Sequence, residues 1–293
     1  MAKNYAEFII RHKGLTVLLA IVAIGAMGFG AQFLTFTNDY RVFFGDDNPQ
    51  LVAFEDLQDT YSKDDNVVFL LVPKSGEVFS NETLEAVAWV TDRAWQTPHS
   101  SRVESLTNYQ HTSAVEDDLI VADLAYEPGN LSEDALASIR HIALNEPVLV
   151  NRLVSPSAHV TGINITIELP GVNPIVENPE VVSYVREMRG QFRQAFPDIE
   201  VKLTGIIMMN QAFPEASQYD MSTLFPIMLI AFVIVLFFWV KGLSGTFATF
   251  AIIIFSIIGA MGLAGWFGIA LTPPSFAAIM IIPTMAIADS VHV

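Results

Sequence analysis

Charge and apolarity occupy separate stretches of this chain, and that separation restricts what it can fold into more than any other feature. Residues 14–36 and 223–293 contain only two charged positions, Lys241 and Asp289. Residues 37–222 hold 29 of the 31 acids and 11 of the 15 bases, a local excess of 18 acids. A chain that is 52% hydrophobic yet carries a formal net charge of −16 is therefore two physical objects joined in series, membrane helices and an acidic soluble domain. The acid excess leaves no basic patch to neutralise phosphates and excludes nucleic acid as a partner. There is no cysteine, so disulfides, thiolate catalysis and cysteine-based zinc or iron–sulfur sites are excluded.

The first apolar run, residues 14–36, has 23 uncharged residues. As a helix it reaches roughly 34 Å, enough for a hydrocarbon core of about 30 Å. Lys3, Arg11 and Lys13 precede it, and Asp39, Asp46 and Asp47 follow, so the positive-inside rule puts residues 1–13 in the cytoplasm and the acidic segment outside. A cleaved signal peptide is the competing reading, disfavoured by the length of the run and by the later spans. The second block divides into three: residues 224–240 return inward, Lys241-Gly242 turns, and residues 243–264 cross outward. Residues 265–274, with two prolines and two glycines, form a short external loop, and Ser275 opens a fourth, inward helix.

Residues 37–222 read as folded α/β material. The run Val67-Val68-Phe69-Leu70-Leu71-Val72 suits a buried strand. After Ser80-Asn81, Leu84, Val87, Ala88, Thr91 and Trp95 recur at helical spacing, and residues 102–108 suit the next strand. Ser132-Glu133-Asp134 marks a helix start, with a capping oxygen and acids favoured by the dipole. Residues 159–169 alternate, with Thr161, Ile163, Ile165, Ile167 and Leu169 on one side. Asn178-Pro179-Glu180 reads as another helix start, and residues 199–204 as a closing strand. Two β-α-β units, residues 66–108 and 159–204, joined by a more helical insertion, suggest ferredoxin-like subdomains.

Asp289 lies in the otherwise apolar fourth helix, where a carboxylate costs about 2.5–3.5 kcal/mol on insertion scales. Desolvation among Ile, Met and Ala disfavours the charged form of such a group, so charged and neutral forms can exchange, and proton coupling is the expected role. A static acid paired with a neighbouring helix is the structural alternative. His292, three positions on, shares its helical face and is either a proton relay or an interfacial histidine. Ser290 either joins that network or bonds to the backbone. Pro283 either opens the helix or only kinks it. Glycines 25, 28 and 30, and 259, 262 and 265, allow close helix approach. Asp46, Asp47, Asp64 and Asp65 fit no calcium loop and read as a solvated acidic surface. No nucleophile elbow, phosphate loop or zinc-binding His-Glu-x-x-His motif is present, and an aspartyl intramembrane protease needs a second membrane carboxylate. Enzymatic activity and bound cofactors are not expected.

One helix, a large external α/β domain and then a cluster of helices, in that order, resembles the resistance-nodulation-division (RND) superfamily, and within it the lipid-type exporters of the MMPL class. The residues carrying the likeness are Val103-Glu104-Ser105-Leu106-Thr107-Asn108, Asn145-Glu146-Pro147 through Leu153-Val154-Ser155, and above all Ala288-Asp289-Ser290-Val291-His292, which is similar to the family's intramembrane acidic motif. The resemblance implies two six-helix halves, each with an external domain, of which this chain supplies an N-terminal fragment ending inside its fourth helix. The expected fold is an α-helical membrane bundle of four transmembrane helices, the last incomplete, with an external α+β domain. Its expected parts are a cytoplasmic segment 1–13, transmembrane helix 1 at 14–36, a periplasmic porter-like domain at 37–222 and helices 2–4 at 223–293. The implied function is proton-driven export of lipidic or amphipathic substrates across a bacterial inner membrane, with Asp289, His292 and Ser290 as proton-coupling residues and the proton gradient as energy source. Membrane lipids, the substrate, further copies of the chain and periplasmic proteins are its expected partners. The alternative is a non-transporting scaffold or a lipid- or sterol-sensing-like subunit whose external domain binds a partner.

Overall fold

The computed structural model describes residues 9, 11–37, 41, 44–45, 47–61, 65–115, 118–240, 242–272 and 275–291. Lys3, Asp39, Asp46, Asp64, Lys241 and His292, all named above, lie outside the described residues. Tertiary contacts divide the chain into two compact units, residues 1–42 with 213–293, and residues 43–212.

In chain order, α1 (Lys13–Phe29) runs into a 3-10 turn at Gly30–Phe33. Next comes α2 (Pro49–Thr60), capped by Asn48, whose Oδ1 accepts from the N–H groups of Gln50 and Leu51. Then follow β1 (Asn66–Pro73), α3 (Asn81–Ala94), β2 (Ser100–Glu104), β3 (Gln110–Val115), β4 (Asp118–Asp123), α4 (Glu133–Asn145), β5 (Thr161–Ile167), α5 (Pro174–Ala195) and β6 (Ile199–Thr204). The remainder is helical: α6 (Ile206–Ser222), α7 (Leu224–Val240), α8 (Leu243–Trp266) and α9 (Phe276–Val291).

The two β-α-β units do not stand apart. Their four strands form one antiparallel sheet in the order β2-β5-β1-β6, so each unit's strands are separated by a strand of the other. The register pairs Phe69 with Ile163 and Leu203, and Val67 with Ile165. The alternation expected of residues 159–169 is present in β5, and β1, expected as a continuous buried run, alternates too: Val67, Phe69, Leu71, Ile163, Ile165 and Ile167 are fully buried on one face beneath Val87 and Val90 of α3 and Val185 and Phe192 of α5. Both helices lie on that face, and the opposite face carries Asn66, Val68, Asn164 and Thr166, all only partly buried. A smaller core, with Leu84, Leu106, Ile139, Leu149 and Val154, holds the insertion together.

Ser132 caps α4 as expected, accepting from Ala135 N–H, and Ser80 caps α3 in the same way, accepting from Thr83 N–H. The strand expected at 102–108 ends at Glu104, because Asn108 folds back to accept from Ser105 N–H and to donate to the Val103 carbonyl. The insertion is less helical than expected and contains the β3–β4 hairpin. Helix α5 begins at Pro174, so Pro179 lies inside it, and α6 was not anticipated at all.

The start of α5 is organised by Glu177. Its carboxylate accepts from the N–H groups of Asn173 (2.7 Å), Val172 (2.9 Å) and Gly171 (3.0 Å). The Asn173 N–H is the largest influence holding its pKa below the ordinary carboxylate range; burial opposes it, and the Gly171 and Val172 N–H groups and the charge of His99 assist. Because the folded-state value is depressed, the stabilisation is fully present above the unfolded value and is lost as pH falls through the folded one. Glu177→Gln is expected to lower the melting temperature at neutral pH, and the gap from wild type should close on acidification below the usual carboxylate range. Melts of the detergent-solubilised chain across pH check this; a gap that stays constant with pH contradicts it.

Among the described residues, three helical stretches are long and apolar enough to cross a membrane: Lys13–Phe33, Ile206–Trp239 and Leu243–Trp266. The second is 34 residues long, well beyond the ~20 that a span needs. It joins α6 to α7 through Thr223, whose hydroxyl donates to the Tyr219 carbonyl. Helix α9 supplies only a shorter apolar stretch, Ala277–Ala288.

Candidate functional site

Within the helical unit, α8 packs against α1, α7 and α9. Its contact with α1 is made through backbone. A Cβ on Gly262 would lie 1.9 Å from the Met27 carbonyl oxygen, one on Gly265 2.0 Å from the Gly30 oxygen, and one on Gly30 2.1 Å from the Gly262 oxygen. The expected glycine approach therefore involves Gly28, Gly30, Gly262 and Gly265, whereas Gly25 faces open space. Trp266 closes the contact by donating from Nε1 to the Ala26 carbonyl (3.0 Å) and packing on Phe29 and Phe33. Beyond the helices, Thr37 N–H donates to the Leu271 carbonyl and Leu271 N–H to the Thr35 carbonyl.

Asp289 and Ser290 fall in the last turn of α9. Their side chains, like His292 as a whole, lie outside the described residues. Backbone register still locates the positions. Ile279 and Pro283 are buried and Ala286 is half-buried, forming the less exposed side of α9. Positions 289 and 290 follow Ala286 by three and four residues along the helix backbone. Pro283, inside the helix, has no N–H for the Ile279 carbonyl.

The α+β unit contains a second candidate site, on the open face of its sheet. A cavity of about 810 Å³ lies where that face meets residues 105–110 and 148–153. A chain of hydrogen bonds crosses its floor. Arg102 Nη2 lies 2.8 Å from Glu104 Oε1, Asn164 Nδ2 donates to Glu104 Oε2 (3.3 Å), and Asn66 Nδ2 donates to Asn164 Oδ1 (2.8 Å). Asn66 Oδ1 in turn accepts from Ile206 N–H (3.2 Å), the first residue of α6. Gly205 makes this approach possible: its φ is +114°, and a Cβ there would lie 2.4 Å from the Asn66 carbonyl oxygen. Burial first, then the Glu146 carboxylate, pushes the Tyr109 phenol in the cavity wall above its ordinary range, so it remains a neutral donor.

Arg152 reaches this cavity from a tight turn. Asn151 adopts a left-handed conformation (φ 64°), its N–H donates to the Val154 carbonyl, and the Leu153 carbonyl accepts from Gly162 N–H and Thr161 Oγ1. Sequence reading did not find this site, whose residues come from separate segments brought together only by strand register and by the turns at 105–109 and 148–153. Two of those segments, 103–108 and 145–155, are nevertheless ones that carried the family resemblance.

No family model matches the chain, and no curated protein is similar to it. Among solved structures, the crystal structure of a heavy metal efflux pump is similar over 80% of this chain, at 16% identity and a TM-score of 0.37. The chain spans 29% of the length of that pump. At that distance the likeness carries no inference about activity.

Proposed function

We infer that this chain is part of a proton-driven exporter of lipidic or amphipathic substrates, of the RND superfamily and its MMPL class. The observation that carries the reading is the association of membrane-length apolar helices with a further helix bearing Asp289, in a chain whose remaining acids are concentrated in a folded α+β unit. An acid in such a helix changes its charge at a cost the membrane potential and pH gradient can meet. The order β2-β5-β1-β6 with both helices on one face supports a single ferredoxin-like unit rather than several.

In this reading residues 1–13 are cytoplasmic, and 14–36 and 223–293 contribute four transmembrane helices. Residues 37–222 are periplasmic and deliver the substrate, while protonation of Asp289, with Ser290 and His292 beside it, drives helix rearrangement. The test is reconstitution of the exporter into liposomes with a fluorescent lipid and an imposed pH gradient. Lipid movement that follows the gradient and stops when a protonophore collapses it is expected. Movement indifferent to the gradient, or none, removes the exporter reading and favours a scaffold or sensor.

A further inference from the structure

The cavity on the open sheet face is built for a ligand carrying both signs of charge. A second cleft of about 450 Å³ adjoins it, sharing Asn66, Arg102, Glu104, Arg152 and Asn164 with it, and Ser101, Thr166 and Glu168 complete the lining of that cleft. Arg102 and Glu104 neutralise each other at 2.8 Å. Among the described residues, the side chains of Arg152 and Glu168 have no hydrogen-bond or ion-pair partner, although the hydrogen-bonded turn places the first, and the N–H bond of residue 168 to the His99 carbonyl just past β5 the second, in the same cleft. One free cation and one free carboxylate therefore share a cavity whose fixed charges sum to zero. Val68, Val148, Leu149 and Leu153 add an apolar wall, with Trp95 on the rim, 49% exposed.

We propose that this cavity receives a zwitterionic amphiphile, with an anionic phosphate at Arg152, an ammonium at Glu168 and the apolar portion against Val148, Leu149 and Leu153. A ligand with only an anion would leave Glu168 unmatched and would be repelled by a segment with 18 more acids than bases. A ligand with only a cation would leave Arg152 unmatched. A net-neutral zwitterion avoids both penalties. Its two charge-assisted contacts each contribute on the order of tenfold or more in affinity. The amides of Asn66 and Asn164, already fixed by the hydrogen-bond chain, hold the cleft in shape between the two charges.

The proposal deepens the exporter reading by naming the substrate's head group and rests on that reading for its role in transport; binding itself can be measured without transport. Calorimetric titration of the full chain in maltoside micelles would use three probes: dihexanoylphosphatidylethanolamine, dihexanoylphosphatidylglycerol and soluble phosphoethanolamine. The ethanolamine lipid is expected to bind at least tenfold more tightly than either of the others. Arg152→Ala should weaken it about tenfold or more, and Glu168→Gln should weaken it while leaving the glycerol lipid unaffected. Both positions are exposed, and a wild-type melting temperature in each variant establishes that the fold is kept. Equal binding of the two lipids with no effect of Glu168→Gln would make this an anion site and overturn the proposal. So would undiminished binding by Arg152→Ala, binding of phosphoethanolamine as tight as that of its lipid, or no binding at all. Lipid binding with this pattern but no gradient-driven transport would instead remove only the exporter reading.

Discussion

Gly262→Ala is expected to destabilise the helical unit by about 1–3 kcal/mol, toward the upper end of what overpacking costs. The added methyl meets main chain on every side: the Met27 oxygen at 1.9 Å, the Met27 carbonyl carbon at 2.5 Å and the Gly28 Cα at 2.8 Å. No rotamer change can relieve contacts with backbone, so α1 and α8 must separate by an ångström or more to restore ordinary contact distances. Separation breaks the Trp266 bond to the Ala26 carbonyl and opens the packing of Trp266 on Phe29 and Phe33. Sliding is no easier, since the paired bonds between Thr35, Thr37 and Leu271 hold the segments beyond the helices in register. Gly25→Ala is the control: it adds a methyl to α1, the other helix of the pair, with nothing within 4 Å, and should be neutral or slightly stabilising. Thermal melts of the two variants in detergent decide the matter. Equal melting temperatures would show that the close α1–α8 approach contributes nothing to stability.

The parts of this fold that were legible in the sequence are those where one short-range rule acts alone. Residues 14–36 and 243–264 read as spans because an uncharged apolar run of that length matches the thickness of a bilayer core and little else in a folded chain. β1 read as a strand from its continuous β-branched apolar run, and β5 from an alternation that matches burial on one face. Where two signals compete, the reading slipped. Asn178-Pro179-Glu180 imitates a helix start, but Glu177 collects three N–H groups at residues 171–173 and so begins α5 earlier. β4 escaped notice because Leu119, Ile120 and Val121 are all exposed, so no alternation with burial marks the strand. α6 escaped notice because Asn210, Gln211, Pro214, Glu215 and Asp220 interrupt its apolar pattern. The sheet cavity was beyond sequence reading for a different reason. Asn66 and Asn164 are 98 positions apart and meet only because β1 and β5 pair in one particular register. Asp289 is the opposite case, conspicuous in sequence because its energetic cost is local, while its partners are a matter of tertiary arrangement.

On the proposed reading of the chain as part of an exporter, Asp289→Asn should abolish gradient-driven transport while leaving expression and folding intact. The substitution keeps the size and hydrogen-bonding capacity of a protonated aspartic acid but cannot release a proton at any accessible pH. A helix with neutral Asn at this depth inserts at least as readily as one with a carboxylate, so loss of protein is not the expected route to loss of function. The variant would be held permanently in the state that mimics protonation, and a cycle needing two charge states would stop after one half-turn. Asp289→Glu retains the ionisable group on a longer stem and should preserve part of the transport, with its pH profile displaced. Those two variants together separate the proton-carrying role from a structural one: an acid held only for a static pair would tolerate Asn if the hydrogen bond were enough, and Glu would offer no advantage. Export by Asp289→Asn at the wild-type rate, measured under the same pH gradient and at equal protein in the liposomes, would remove Asp289 from the coupling mechanism.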